Sequence, residues 1–294
     1  MAVLRKQQTL ARVAEFTGFG YWSGKDVRVE LRPAEVDAGL QFIRADLAPH
    51  VRIAADARNR LEAPRRTTLA AGNSQVEMVE HILAALYGLQ IDNCEIWVDQ
   101  PEMPGLDGSS QAIVAAIDSA GIVAQDAPSK RLVISEITRV GDEESWVEAR
   151  PHKQAGLNGL SLKYRLDYGP ECPIGRETIE LKVTPKSFRQ ELAAARTFLL
   201  EEEANWLRSR GLGTRVTNQD LLIFSPNGLI DNVLRYDNEC VRHKTLDLVG
   251  DLALAGCELV GQVYAHRSGH RLNAELVRAL LQEGRVEGGL RMTG

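Results

Sequence analysis

The chain has 294 residues, 44% hydrophobic and 26% charged with only 11 prolines, which excludes a disordered chain and allows one large core or two of about 100–150 residues. Its 40 acidic side chains against 35 basic ones give a net charge of −5, which argues against a nucleic-acid partner, because that role needs a basic face. Four cysteines without C-x-x-C spacing, no signal-peptide core at the start and no run able to span a bilayer predict free thiols and a cytoplasmic location.

In chain order, residues 27–32 ("VRVELR") and 94–98 ("CEIWV") alternate as half-buried strands do. Between them, residues 74–93 read as a helix. Ser74 and Glu77 are spaced as a capping box, Val76, Val79, Leu83 and Leu86 follow at helical period, and Gly88 suits the C-terminal end. Residues 109–121 predict a second helix closed by Gly121. Periodicity is then lost over 121–131, which reads as a linker between a first unit, 1–124, and a second, 125–294.

The second unit again opens with strand candidates: "RLVISEITRVG", "SWVEARP", "LSLKYRLDYG" and "ETIELKVTP". Residues 185–211 are expected to be largely helical, 220–225 ("DLLIFS") a strand, and 240–256 a helix. A strand over "ELVGQVYAHRSG" and a last helix over "NAELVRALLQEG" follow, with a loose tail after Glu287. Grouped strands followed by helices indicate α+β organisation. Each half owns several strands and two helices, but no repeat is visible residue by residue.

The helix at 240–256 raises a chemical question. Its apolar stripe is Val241, Thr245, Leu248 and Leu252, yet His243, Asp247 and Asp251 stand four apart on a neighbouring face. Alone, a His/Asp pair at that spacing is more often an ordinary hydrogen bond than a metal site. His81, on the earlier helix, supplies a third donor. Two histidines and an aspartate would leave a fourth position on Zn²⁺ open, as catalytic sites require, and the adjacent Glu80 suits a general base. His50 and His152 sit in polar surroundings and read as surface residues. "GFGYWSGK" fails as a phosphate-binding loop, because Phe19 and Asp26 occupy the Gly and Ser/Thr positions. No H-E-x-x-H occurs, "HRSGH" is not a nucleophile elbow, and Glu201–Glu203 read as a solvated helix face.

Five stretches, "VEHILAALYGLQIDN", "PEMPGLDGSS", "ARTF", "RYDNECVRHKTLDLVGDLALAG" and "RSGHRLN", together resemble the UDP-3-O-acyl-N-acetylglucosamine deacetylases, zinc enzymes of lipid A synthesis. The likeness runs in order from residue 7 to the last helix. It implies two similar α+β domains, each a sheet with two helices, and an active site between them. Carried over by motif, it implies His81, His243 and Asp247 as ligands of Zn²⁺ and Glu80 as the base for the attacking water. His270 would be the cationic partner, oriented by Asp251. Thr197 would help bind the oxyanion, and Phe198 and Lys244 would touch substrate.

The implied reaction is hydrolysis of the N-acetyl group of an acylated UDP-sugar by a monomer. The alternatives are a deacetylase of another N-acetylated sugar or nucleotide sugar and a non-catalytic ligand-binding paralogue. Two segments depart from the family pattern. Gly20-Tyr21-Trp22-Ser23-Gly24-Lys25 lacks the histidine of G-L-H-T-G-K, and Gly213-Thr214-Arg215-Val216-Thr217 replaces an L-G-G-S that helps line the family's acyl-chain passage.

Overall fold

In the computed structural model, which describes residues 4–154 and 157–289, two five-stranded arrays share one strand order. The first runs Ala14–Phe19, Asp26–Pro33, Cys94–Val98, Leu40–Arg44, Val51–Ala54. The second runs Thr138–Gly141, Trp146–Arg150, Glu258–His266, Leu160–Asp167, Arg176–Lys182. Within each array every neighbouring pair is antiparallel except the central strand with the next one, Cys94–Val98 with Leu40–Arg44 and Glu258–His266 with Leu160–Asp167. The duplication invisible in the residues is therefore explicit in the pairing.

The strands form for the expected reason. Over Asp26–Pro33 the side chains of Val27, Val29 and Leu31 are buried, while Asp26 and Arg28 face water, the two-residue period of a half-covered sheet. Each central strand lies between two helices in the chain. Helices α1 (Glu80–Gly88) and α2 (Gln111–Ala120) flank the first, and α5 (Glu239–Leu252) and α6 (His270–Glu283) flank the second. Between them come a single turn, α3 (Pro185–Ser187), and α4 (Glu201–Ser209). No helix among the described residues is long and apolar enough to cross a membrane.

The two halves meet where α1 packs on α5. A side chain at Gly250 would place its Cβ 2.0 Å from the Glu80 carbonyl oxygen, so only glycine lets the two backbones cross this closely. From Thr245 to Leu252 every residue of α5 is buried. Leu246, Leu248, Val249 and Leu252 have no solvent exposure, and each such burial stabilises by about 1.5–3 kcal/mol.

Several sequence expectations need correction. Ser74–Glu77 is not a capping box but a strand paired with Thr68–Ala71, joined through Gly72 at φ +56. Helix α1 instead starts at Glu80, with Val79 as an N-cap that makes no side-chain hydrogen bond, two residues beyond Met78 at φ +58. A left-handed non-glycine residue costs about 1–2 kcal/mol, and this one sits against the candidate site. Gly88 lies inside α1 rather than capping it. Its missing Cβ makes room for the Phe188 ring, while Gln90 takes the left-handed position beyond the helix.

The supposed linker contains a strand, Ile122–Pro128, paired with Lys6–Leu10, and Arg131–Val133 then joins the second sheet. Residues 185–211 are helical only in part. A π-helical turn, Phe188–Leu192, follows α3, and Phe198–Leu200 is drawn out as a strand beside Leu222–Ser225. Of the tail, residues 290–294 lie outside the described residues.

Candidate metal centre

At the α1–α5 crossing, His81 from one helix meets His243 and Asp247 from the other, and their ligand atoms all lie within 4.8 Å of one another. The Oδ1 atom of Asp247 is 3.3 Å from His243 Nε2 and 3.6 Å from His81 Nε2. Those separations exceed the 2.7–2.9 Å of a charge-assisted hydrogen bond. Three atoms bound tetrahedrally at 2.0–2.2 Å to one ion would stand about 3.3–3.6 Å apart. Asp247 Oδ1 is also buried and has no hydrogen-bond partner among the described residues. Such an orphaned acceptor is costly unless a cation satisfies it. The donor set, and the separations of Asp247 Oδ1 from the two imidazole nitrogens, suit a metal ion with one position left for water.

The surroundings prepare two of the three ligands, His243 and Asp247. His243 Nδ1 lies 3.1 Å from the Ala195 carbonyl, which can only accept, so the ring proton is on Nδ1 and the Nε2 lone pair faces its neighbours. Burial pushes His243 down to about 4, which keeps the ring neutral as a ligand must be. Burial opposes ionisation of Asp247, yet His243 and Lys244 overcome it and hold the carboxyl well below its usual range. Lys244 Nζ donates to the other oxygen, Oδ2, at 2.7 Å, which leaves Oδ1 for the centre.

Beside the ligands lie two further titratable groups. Glu80 is 4% exposed, and its Oε2 accepts from the Thr67 amide at 2.9 Å. Burial raises its pKa, against the pull of His270 and His81, which makes the carboxylate a stronger base. His270 Nδ1 donates to Asp251 Oδ2 at 2.9 Å. Burial disfavours the imidazolium, but the Asp251 charge and hydrogen bond outweigh it and raise His270 to about 9.

Thr197, Phe198 and Lys244, the expected substrate-side residues, also border the centre. An apolar cavity lined by Trp22, Met78, Leu199, Leu207, Val216 and Ile223 opens from the centre, and an adjoining cleft of mixed polar and apolar lining carries Lys244, Phe198 and Tyr168. Thr197 lines both. The Phe198 ring meets His243 edge-on, with centroids 6.3 Å apart. The departing segments reach the cavity in part: Trp22 and Val216 line it, whereas Arg215 turns outward to Asp26 at 2.6 Å and over the Phe19 ring. Glu203 is not simply a solvated helix face. It pairs with Arg65 of the first half at 2.8 Å, and it accepts from the Leu200 amide. His50 is exposed, His152 is half-buried against the Gly159 carbonyl, and all four cysteines are unpaired.

Sequence reasoning missed the residues that hold this arrangement together. Arg196, of the quoted "ARTF", donates through its amide and Nε to Glu239 Oε1 at 3.0 and 2.8 Å. This buried pair pins Thr197 and Phe198 to the first turn of α5, beside His243. Thr67 and Asn273 both hold Asp251. Asn273 stood inside the quoted "RSGHRLN", while Thr67 lay in a stretch with no motif at all.

A family model described as UDP-3-O-acyl N-acetylglycosamine deacetylase (LpxC) matches residues 7–282. The UDP-3-O-acyl-N-acetylglucosamine deacetylases of Brucella ovis, Brucella canis and Brucella abortus are each 37% identical to this chain over 281 residues, covering 94% of it and 96% of theirs. With nearly the whole length matched, and a donor set suited to a metal at the junction of the two halves, the chain belongs to the UDP-3-O-acyl N-acetylglycosamine deacetylase family.

Proposed function

We propose that this chain hydrolyses the N-acetyl group of UDP-3-O-acyl-N-acetylglucosamine, releasing acetate in lipid A biosynthesis, with Zn²⁺ held by His81, His243 and Asp247. The observation that carries the reading is the orphaned Asp247 Oδ1 facing two imidazole nitrogens, with Glu80 and His270 beside it. When bound, the ion would supply Lewis acidity, drawing electron density from the amide carbonyl and acidifying a water to a pKa of about 7.

The remaining work falls to this chain's own groups. Glu80 takes a proton from the attacking water as its oxygen bonds to the acetyl carbon and the carbonyl electron pair moves onto oxygen. The Thr197 hydroxyl donates to that oxyanion. As the C–N bond breaks, the imidazolium of His270 gives its proton to the departing nitrogen, and acetate and the free amine leave. Asp251 keeps the ring charged and aimed. The apolar cavity suits an acyl chain, while Lys244 and Phe198 suit the polar sugar nucleotide.

The groups invoked form a complete set within one chain, so the proposed chemistry needs none from a second copy. Four unpaired thiols support a reducing, cytoplasmic setting. The proposed division into 1–124 and 125–294 lies within the strand Ile122–Pro128, which pairs with Lys6–Leu10, and ahead of Arg131–Val133, which joins the second sheet.

Metal analysis together with acetate release from UDP-N-acetylglucosamine, with and without a 3-O-acyl chain, tests the reading. Stoichiometric zinc and turnover dependent on the acyl chain are expected. Turnover indifferent to the acyl chain would move the assignment to another N-acetylated sugar. Substrate binding without acetate release would make the chain a non-catalytic relative.

A further inference from the structure

Thr67 has no solvent exposure and stands just before the strand Thr68–Ala71, yet each of its polar groups is committed to the catalytic junction. Its amide donates to Glu80 Oε2 at 2.9 Å, and its carbonyl accepts from the Val79 amide, next to α1, at 3.3 Å. Its hydroxyl donates to Asp251 Oδ1, across the seam on α5, at 2.5 Å.

The division of labour at Asp251 gives that last bond its consequence. His270 Nδ1 and Asn273 Nδ2 both reach Oδ2, at 2.9 and 2.8 Å, whereas Oδ1 receives Thr67. The carboxylate torsion is a broad, roughly two-fold rotor, so donors on one oxygen leave its plane loosely set. A hydroxyl has one proton to donate, and here it fixes the second oxygen. Because an amide and a hydroxyl of one residue cannot drift apart, Thr67 ties the carboxylate of the base to the carboxylate behind the acid.

We infer that Thr67 is a positioning residue: it holds Glu80 through its amide and Asp251 through its hydroxyl, so that base and acid keep one spacing across the α1–α5 crossing. The inference rests on the deacetylase reading for its kinetic consequence and on the hydrogen bonds alone for its structural one. The opposing view is that Thr67 only satisfies buried polar groups and so contributes stability.

The test compares Thr67→Val, which keeps shape and amide but removes the hydroxyl, with Thr67→Ser, which restores it. All are prepared as zinc-loaded full-length protein. Thr67→Val should lower kcat about 10–100-fold with little change in KM or zinc content, the cost typical of losing an outer-shell partner. Thr67→Ser should recover most of that loss. Because the hydroxyl acts through Asp251, adding Thr67→Val to Asp251→Asn should cost far less than in the wild type.

With ¹⁵N-labelled histidine, the hydrogen-bonded Nδ1 proton of His270 should broaden or shift in Thr67→Val and return in Thr67→Ser. This signal needs no substrate, so it decides the positioning role even if the wild type proves not to be a deacetylase. Should the valine variant not fold, Thr67→Ala is compared in the same way. An unchanged His270 signal, or a valine variant that melts lower yet keeps kcat, or a serine variant no better than valine, would overturn the inference.

Discussion

The Nδ1 atom of His270 lies 2.9 Å from Oδ2 of Asp251, and this bond joins the first residue of α6 to the last turn of α5. Asp251 has no solvent exposure and raises His270 to about 9, so the imidazolium persists at neutral pH. Activity that needs this cation falls as pH rises through its pKa. A divalent ion nearby acts the other way, which places the alkaline limb below 9. Asp251→Asn removes the raising charge, so the limb should move to lower pH. His270→Ala should abolish the limb and lower kcat more than it weakens binding. Rate profiles across pH check this, and a spared kcat with raised KM would reduce His270 to a substrate contact.

His81→Ala, His243→Ala and Asp247→Ala should each lose zinc and activity together, and chelation should stop turnover until zinc is restored. Metal content by elemental analysis, measured beside rates, checks the set. Asp247→Ala with full zinc and a normal rate would remove Asp247 from it.

Glu80→Gln keeps the side chain's size and its acceptor for the Thr67 amide. Zinc should therefore stay bound while kcat falls by about 10²–10⁴-fold, the usual contribution of a general base. Metal loss as large as that of His81→Ala would instead make Glu80 a ligand.

Gly250→Ala would place a methyl 2.0 Å from the Glu80 carbonyl oxygen, so α1 and α5 must separate. Overpacking of this kind costs about 1–3 kcal/mol. Denaturant unfolding should register that loss, and zinc affinity should fall with it, because the ligands sit on both sides of the crossing. Unchanged affinity in a destabilised variant would mean that the helices part without moving His81.

The sequence alone pointed to the chemistry and to its candidate donors. The four-residue spacing of His243, Asp247 and Asp251 needs only helical geometry, and the alternation in residues 27–32 needs only a half-buried sheet. Such signals are local, and each residue carries its own. What the tertiary structure decided is pairing. Ser74–Glu77 has the spacing of a helix cap but is held in a hairpin, and the Arg196–Glu239 ion pair and neighbouring strands draw "ARTF" out of a helical context. The shared strand order of the two halves is written in backbone hydrogen bonds, which leave little trace in side chains that have diverged. Thr67 lies 184 residues from the carboxylate it holds, and nothing about a lone threonine reveals a partner at that distance. Only folding brings α1 against α5, because the burial that drives the helices together is cooperative over the whole core while the hydrogen bonds it aligns are specific to single atoms.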